Sequence, residues 1–121
     1  MTTTTLPKPN YKRGDVVLVL FPHSDLKTAK PRPALVIQAD GLETGLPQTL
    51  VAMITSKTFR ANHPSRVLLH LADTGTQSGL LADSVVMTDN LATVSDSAIE
   101  RVIGTIPMIN VETALRHTLG L

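Results

Sequence analysis

An arginine held between two prolines, in Lys30-Pro31-Arg32-Pro33, is the residue of this sequence best suited to chemistry. The proline that follows Arg32 restricts it to extended backbone conformations, so its side chain is presented on a stiffened strand. The planar guanidinium matches a phosphate better than an ammonium does. The tetrapeptide therefore indicates phosphate binding, although an arginine in this setting can equally be structural or simply solvated.

Hydroxyl groups follow the apolar segment Thr49–Ile54, in Thr55-Ser56-Lys57. Loops at strand ends commonly carry functional side chains. The alternative is that these hydroxyls only satisfy the backbone of a turn. In the same way, Asp89-Asn90 follows a second apolar segment, and it is typical of a turn with an available carboxylate.

Several other chemistries find no support in the sequence. The absence of cysteine excludes disulfides, thiolate metal sites and a cysteine nucleophile. The four histidines show no metal-ligand spacing, and neither a GxSxG elbow nor a glycine-rich phosphate loop is present, so we expect no metal or cofactor. The aromatic side chains are too few for a stacking platform of the kind that many RNA-binding domains use. The histidines are His23, His63, His70 and His117, and the aromatic residues are Tyr11, Phe21 and Phe59.

The net charge of +1 is unevenly distributed. Residues 8–32 carry six basic and two acidic side chains, a local charge of +4 that leaves −3 for the rest of the chain. This asymmetry predicts a basic face built by the N-terminal quarter, with ordinary solvated charges as the alternative.

Short apolar segments rich in β-branched residues recur along the chain and predict a barrel or sandwich. A capping-box spacing at Ser97–Glu100 predicts a short helical turn, and Asn110 is expected to cap a C-terminal helix that stops at Gly120. Residues 22–31 are expected to form a loop. The predicted strands are Val16–Phe21, Pro33–Ala39, Thr49–Ile54, Arg66–Leu71, Ser84–Thr88 and Arg101–Ile106.

The length of 121 residues predicts one domain. We expect a flexible N-terminal arm over residues 1–11 and a single folded domain over residues 12–121. The first residues contain no apolar stretch of the kind that signal peptides have, and no apolar run is long enough to span a membrane. These features predict a soluble, cytoplasmic protein.

Taken in order, three segments resemble the MazF/PemK toxin family over roughly residues 12–119. The first is Arg13-Gly14-Asp15-Val16-Val17-Leu18-Val19 with Phe21-Pro22 after it, and the second is Arg32-Pro33-Ala34-Leu35-Val36-Ile37. The third is Ser84-Val85-Val86 leading to Asp89 and, after a short helix, to Arg101-Val102-Ile103-Gly104.

The resemblance implies a mainly β fold, an SH3-like barrel of the CcdB/MazF/PemK type with a short helix and a C-terminal α-helix. It also implies the toxin of a type II toxin-antitoxin system, packed as a homodimer. The implied activity is metal-independent, sequence-selective cleavage of single-stranded RNA through attack of the ribose 2′-hydroxyl. The implied protein partner is a cognate antitoxin whose tail occupies the RNA groove.

By the same resemblance, Arg32 takes the place of the family's catalytic arginine and Thr55 that of its catalytic threonine. Asp89 matches an acidic position, and either Asp89 or His23 is expected to remove the 2′ proton. Met87 departs from the family, because some members carry an arginine there. Further RNA contacts are predicted at His23, Ser24, Lys30, Ser56 and Lys57.

Two alternatives remain open at this stage. One is a non-catalytic toxin on the same barrel that poisons a protein such as DNA gyrase through its C-terminal helix. The ending Thr118-Leu119-Gly120-Leu121 lacks the aromatic residues usual for that mode. The other is a degenerate barrel that binds a partner without chemistry, a reading that Met87 keeps open.

Overall fold

The computed structural model describes residues 11–22, 29–74 and 77–121 of the chain. None of the described helices is long and apolar enough to cross a membrane. The strands are β1 (Asp15–Pro22), β2 (Ala29–Val36), β3 (Gln48–Thr55), β4 (Arg66–Leu69), β5 (Ser84–Ser95) and β6 (Ile99–Thr105). The helices are the first 3-10 helix (Thr58–Ala61), α1 (Leu71–Thr74), the second 3-10 helix (Asp96–Ala98) and α2 (Ile109–Leu119).

The six strands form one antiparallel sheet in the order β4-β5-β3-β2-β1-β6. Successive side chains of a strand point to opposite faces of the sheet, and here both faces are apolar. The helix face packs Val16, Leu35, Ala52, Ile54 and Val86 with Val111 of α2. The far face packs Val17, Val19, Ala34, Val36 and Val51 with Tyr11. Burial on both faces explains why β1 is continuously apolar, and the mainly β fold with a C-terminal helix is confirmed.

The prediction for the second strand was wrong at both ends. β2 begins at Ala29 instead of Pro33 and ends at Val36, so part of the predicted 22–31 loop is strand. Over its first half β2 pairs with β1 alone, because its pairing with β3 is confined to Ala34–Val36. A strand with one unpaired side tolerates proline, which cannot donate a ladder hydrogen bond.

The turn predicted at Asp89-Asn90 was also wrong, because β5 runs through it to Ser95. Leu91 lies opposite Ala52 while Met87 lies opposite Met53, so the three residues 88–90 bulge out of the ladder with β3. The backbone N–H and the hydroxyl of Thr88 both donate to the Ser65 carbonyl, at 3.0 and 2.6 Å, which fixes the bulge against the β4 side.

The helix boundaries were predicted only in part. Gly120 ends α2 in a left-handed conformation with φ of +70°, as expected. The cap at Asn110 was wrong, since Met108 occupies the N-cap position and Asn110 lies inside the first turn. The short turn predicted at Ser97–Glu100 spans Asp96–Ala98 instead, with Ser95 at its N-cap position and no side-chain cap. The sequence did not indicate the first 3-10 helix or α1.

Tyr11 ties the chain ahead of β1 to the far face. Its hydroxyl donates to Asp96 Oδ1, and the Thr49 hydroxyl donates to the same oxygen at 2.7 Å. Burial and the hydrogen bond with Asp96 raise the pKa of Tyr11 to about 12. Residues 1–10, the rest of the predicted arm, lie outside the described residues.

We expect the tyrosinate absorbance to titrate near pH 12 in the folded protein, because Tyr11 is the only tyrosine. A raised folded-state pKa stabilises the fold fully below pH 10 and loses that contribution as the pH rises towards 12. Asp96→Asn should reverse only part of the rise in the pKa of Tyr11, since burial is the larger cause of that rise. Titration near pH 10 in the folded wild type would contradict this assignment.

Two glycines allow the segment after α1 to close on β6. A Cβ on Gly104 would lie 2.2 Å from the Gln77 carbonyl oxygen, and one on Gly79 would lie 2.0 Å from the Ile103 carbonyl oxygen. The Thr105 N–H donates to that same Gln77 carbonyl at 2.7 Å. Only glycine, which has no Cβ, allows the two backbone segments to come this close.

Gly104→Ala should therefore destabilise the fold by about 3 kcal/mol, since the new methyl group meets backbone that must move. Gly45→Ala is the matched control. Gly45 has φ of +78° and open space around it, so the cost there should be about 1 kcal/mol of backbone strain. Urea unfolding measures both, and equal midpoints for the two variants would contradict the close approach.

Candidate active site

The alternation of side chains along β2 and β3 places Arg32 and Thr55 on the same face of the sheet. Ala34 lies opposite Met53 and Val36 opposite Val51, and Arg32 and Thr55 each follow two residues further along their strands, just beyond the paired ladder. Residues two apart on a strand point to the same face. Both side chains therefore belong to the far face, away from α2.

The Arg32 side chain is exposed, and within the described residues its guanidinium has no hydrogen-bond or ion-pair partner. Its backbone is fixed by pairing opposite Val19 on β1. Lys30 is also exposed and stands two residues earlier on the same strand, so it shares the far face with Arg32. This part of the sheet presents two cations suited to an anionic ligand.

The Thr55 hydroxyl makes a turn contact and can still bind a ligand. Its Oγ1 accepts a hydrogen bond from the Lys57 N–H at 3.2 Å, which confirms the predicted turn contact. Because a hydroxyl can accept and donate at once, its own proton remains available for a phosphate oxygen. Ser56 and Lys57 are exposed immediately after it.

The bulge in β5 brings Asp89 to Arg66 of β4. Arg66 Nε lies 3.2 Å from Asp89 Oδ1, and Nη2 lies 2.7 Å from Oδ2, a bidentate ion pair. These hydrogen bonds hold the pKa of Asp89 below its usual range. Nη1 of the same guanidinium donates to the Arg60 carbonyl at 3.1 Å. Arg66 thus connects the bulge to the first 3-10 helix.

Arg66 is the residue that sequence reasoning missed. It lies directly opposite Met87, the position where some members of the MazF/PemK family carry an arginine, so a guanidinium is present one strand away. Arg66 and Met87 share the far face with Met53 and Ala34, as the pairing across β5, β3 and β2 shows. The sequence signal for Arg66 was a cationic residue at the start of the otherwise apolar strand β4.

The structure does not place every predicted residue together. Arg32, Lys30 and Thr55 lie on the far face, while Asp89 is paired with Arg66. His23 and Ser24 lie outside the described residues. Within residues 11–22, 29–74 and 77–121, no three histidine or acidic side chains group as a metal site requires.

A cavity of about 400 Å³ opens at the other end of β3. It lies among Lys12, Gln38, Gln48 and Thr49 and the loop over residues 39–46. None of the predicted catalytic residues lines it. The candidate active site is therefore the exposed area around Arg32 and Thr55.

Comparison with known proteins agrees with this fold. A sequence model of the PemK-like, MazF-like toxins of type II toxin-antitoxin systems matches residues 12–119, and the chain belongs to this family. It is 35% identical over 106 residues to Endoribonuclease MazF2 of Mycobacterium bovis and, equally, to Endoribonuclease MazF6 of Mycobacterium tuberculosis. These alignments cover 84% of this chain and 90% of each relative.

Solved structures with the same fold include an endoribonuclease in complex with its cognate antitoxin from a Mycobacterial species. That structure gives a TM-score of 0.69 at 22% identity and covers 92% of this chain and 96% of the other. The Mycobacterium tuberculosis toxin MazF-mt6 gives 0.63 at 24% identity, covering 88% and 92%. A MazE-MazF structure from Deinococcus radiodurans gives 0.69 at 18% identity, covering 92% and 96%.

Arg66→Ala should raise the pKa of Asp89, because the hydrogen bond from Arg66 is the largest cause of its lowering. A lowered folded-state pKa stabilises the protein above the unfolded value, and the contribution is lost as the pH falls through the folded value. The variant should therefore lose part of its pH dependence in the acid range.

Carboxyl NMR titration measures this change, with Asp83 as an internal control. The pKa of Asp83 is also lowered, but by the Leu71 N–H and His70, so Arg66→Ala should leave it unaltered. An unchanged Asp89 titration in the variant would show that the ion pair does not form in solution.

Proposed function

We propose that this chain is the toxin of a type II toxin-antitoxin system and acts as an endoribonuclease on single-stranded RNA. The observation that carries the proposal is that Arg32 and Thr55 share the far face at the end of the β2-β3 ladder. The Arg32 guanidinium has no partner among the described residues, and the Thr55 hydroxyl proton is available. The relatives with 35% identity are named endoribonucleases, which supports the same activity here.

The proposed reaction is attack of a ribose 2′-hydroxyl on the adjacent phosphorus, with departure of the 5′-oxygen. The protein must align the phosphate and stabilise the extra negative charge of the transition state. Arg32 donates hydrogen bonds to the phosphoryl oxygens and to the leaving 5′-oxygen, which takes its proton from solvent. The Thr55 hydroxyl donates a hydrogen bond to the phosphate. Lys30, Ser56 and Lys57 contact the neighbouring backbone of the RNA.

Asp89 and His23 are the proposed acceptors of the 2′ proton. The Asp89 carboxylate is ionised at neutral pH, and each of its oxygens keeps a lone pair beyond the one that Arg66 uses. Its lowered pKa makes it a weaker base than an unperturbed carboxylate. The acid limb of the cleavage profile should consequently lie below the usual carboxyl range if Asp89 is the base.

The proposed partners follow from the solved relatives. One of these is an endoribonuclease with its cognate antitoxin, and another is a MazE-MazF pair. We extend this to a homodimeric, cytoplasmic toxin that a cognate antitoxin silences by covering the far face. An acidic antitoxin segment would complement Lys30, Arg32 and Lys57, which are all exposed. We do not favour the two alternatives, a toxin that poisons DNA gyrase and a degenerate barrel that binds a partner without chemistry.

Arg32→Ala should reduce RNA cleavage by roughly a hundred- to a thousandfold, the loss typical for one transition-state donor. The variant should fold normally because the side chain is exposed. Purified protein is incubated with mixed-sequence RNA in the presence of a chelator, and the new 5′ ends are mapped.

Arg116→Ala, which removes an exposed arginine of α2, should keep the wild-type cuts. Wild-type cleavage by a folded Arg32→Ala protein would refute the role of Arg32. A wild-type protein that cuts none of a varied RNA pool would refute the endoribonuclease proposal. Cuts that vanish with the chelator would refute metal independence.

A further inference from the structure

Phe59 is an aromatic side chain that the core does not use. It lies in the first 3-10 helix and is 77% exposed, so its ring faces solvent. The Arg60 guanidinium lies over this ring, 5.9 Å from the centroid. A cation over one side of a ring leaves the other side available for a flat partner.

The surroundings of Phe59 favour a polyanion. Lys57 and Arg60 flank the ring closely in sequence, and residues 55–66 contain no acidic side chain. Arg66, the third cation of this segment, is paired with Asp89. The segment begins at Thr55, so Phe59 follows the proposed catalytic hydroxyl by one short turn. An aromatic ring among cations, four residues from the proposed catalytic hydroxyl along the chain, is an arrangement that can bind single-stranded nucleic acid by stacking.

The turn that carries Phe59 is held in place from both sides. Within it, the Arg60 N–H donates to the Lys57 carbonyl at 3.0 Å, and the His63 N–H donates to the Ala61 carbonyl at 2.8 Å. From outside, Arg66 donates a hydrogen bond to the Arg60 carbonyl and forms an ion pair with Asp89. A ring presented on such a fixed turn loses little conformational entropy when it binds.

We propose that Phe59 stacks on a base of the single-stranded RNA next to the cleaved phosphate, with Arg60 on the opposite side of the ring. The proposal rests on the endoribonuclease function and names one contact that selects or holds the substrate. Every base has a stacking face, so the ring contributes mainly to substrate binding.

The chain contains no tryptophan, so Phe59→Trp introduces a single fluorescent probe at the ring. It is titrated with a random-sequence single-stranded RNA whose riboses are 2′-O-methylated, which cannot be cleaved by 2′-hydroxyl attack. We expect saturable quenching that weakens with salt. Inorganic polyphosphate, a polyanion without bases, should cause none.

Phe59→Ala should raise KM for a cleavable RNA by roughly ten- to a hundredfold with little change in kcat. Phe59→Trp should keep KM near wild type. Leu81→Ala is the matched control, because Leu81 is 99% exposed in the loop before β5, and it should leave KM unchanged.

Absence of quenching by RNA overturns the proposal, whether or not the RNA binds elsewhere, and so does equal quenching by polyphosphate. An unchanged KM in Phe59→Ala overturns it as well. Quenching by RNA together with a wild-type protein that cuts nothing would support stacking and refute the endoribonuclease function. Cleavage without quenching would refute stacking alone.

Discussion

The register of β2 against β3 is the constraint on which the candidate site depends. Arg32 and Thr55 share the far face only because Leu35 pairs with Ala52, and a slip of one residue would turn Arg32 towards the helix face. Apolar side chains on both faces hold this register, since Leu35 and Ala52 pack under α2 while Ala34 and Val51 pack on the far face. The packing of the core thus determines where the chemistry is presented.

The Arg66 guanidinium adds a second level of organisation. It joins two irregular pieces of backbone, the β5 bulge through Asp89 and the first 3-10 helix through the Arg60 carbonyl. Neither piece has the continuous ladder that fixes a regular strand, so a multidentate side chain supplies the missing connection. Arg66 faces Met87 across the β4-β5 pair, which suggests why this chain can lack an arginine at position 87.

Local sequence patterns were enough to predict β1, β3, β4 and β6, because each is an apolar run with turn residues nearby. Arg32 and Thr55 were also identifiable, from proline restriction and from a strand end. The remaining features depend on contacts between distant segments. The Asp89-Asn90 pair has turn chemistry, yet bonds from Thr88 to Ser65, 23 residues away, make it a bulge. Counting aromatic residues likewise could not show that Phe59 is exposed, since exposure is a property of the folded surface.

The close approach of residues 77–79 to β6 covers part of an outer strand of the sheet. An outer strand presents unpaired N–H and C=O groups that can recruit another sheet and start aggregation. At Thr105 the N–H is already occupied by the Gln77 carbonyl, and the opposite outer strand, β4, is only four residues long. Short or partly covered outer strands of this kind disfavour edge-to-edge pairing between copies of the chain.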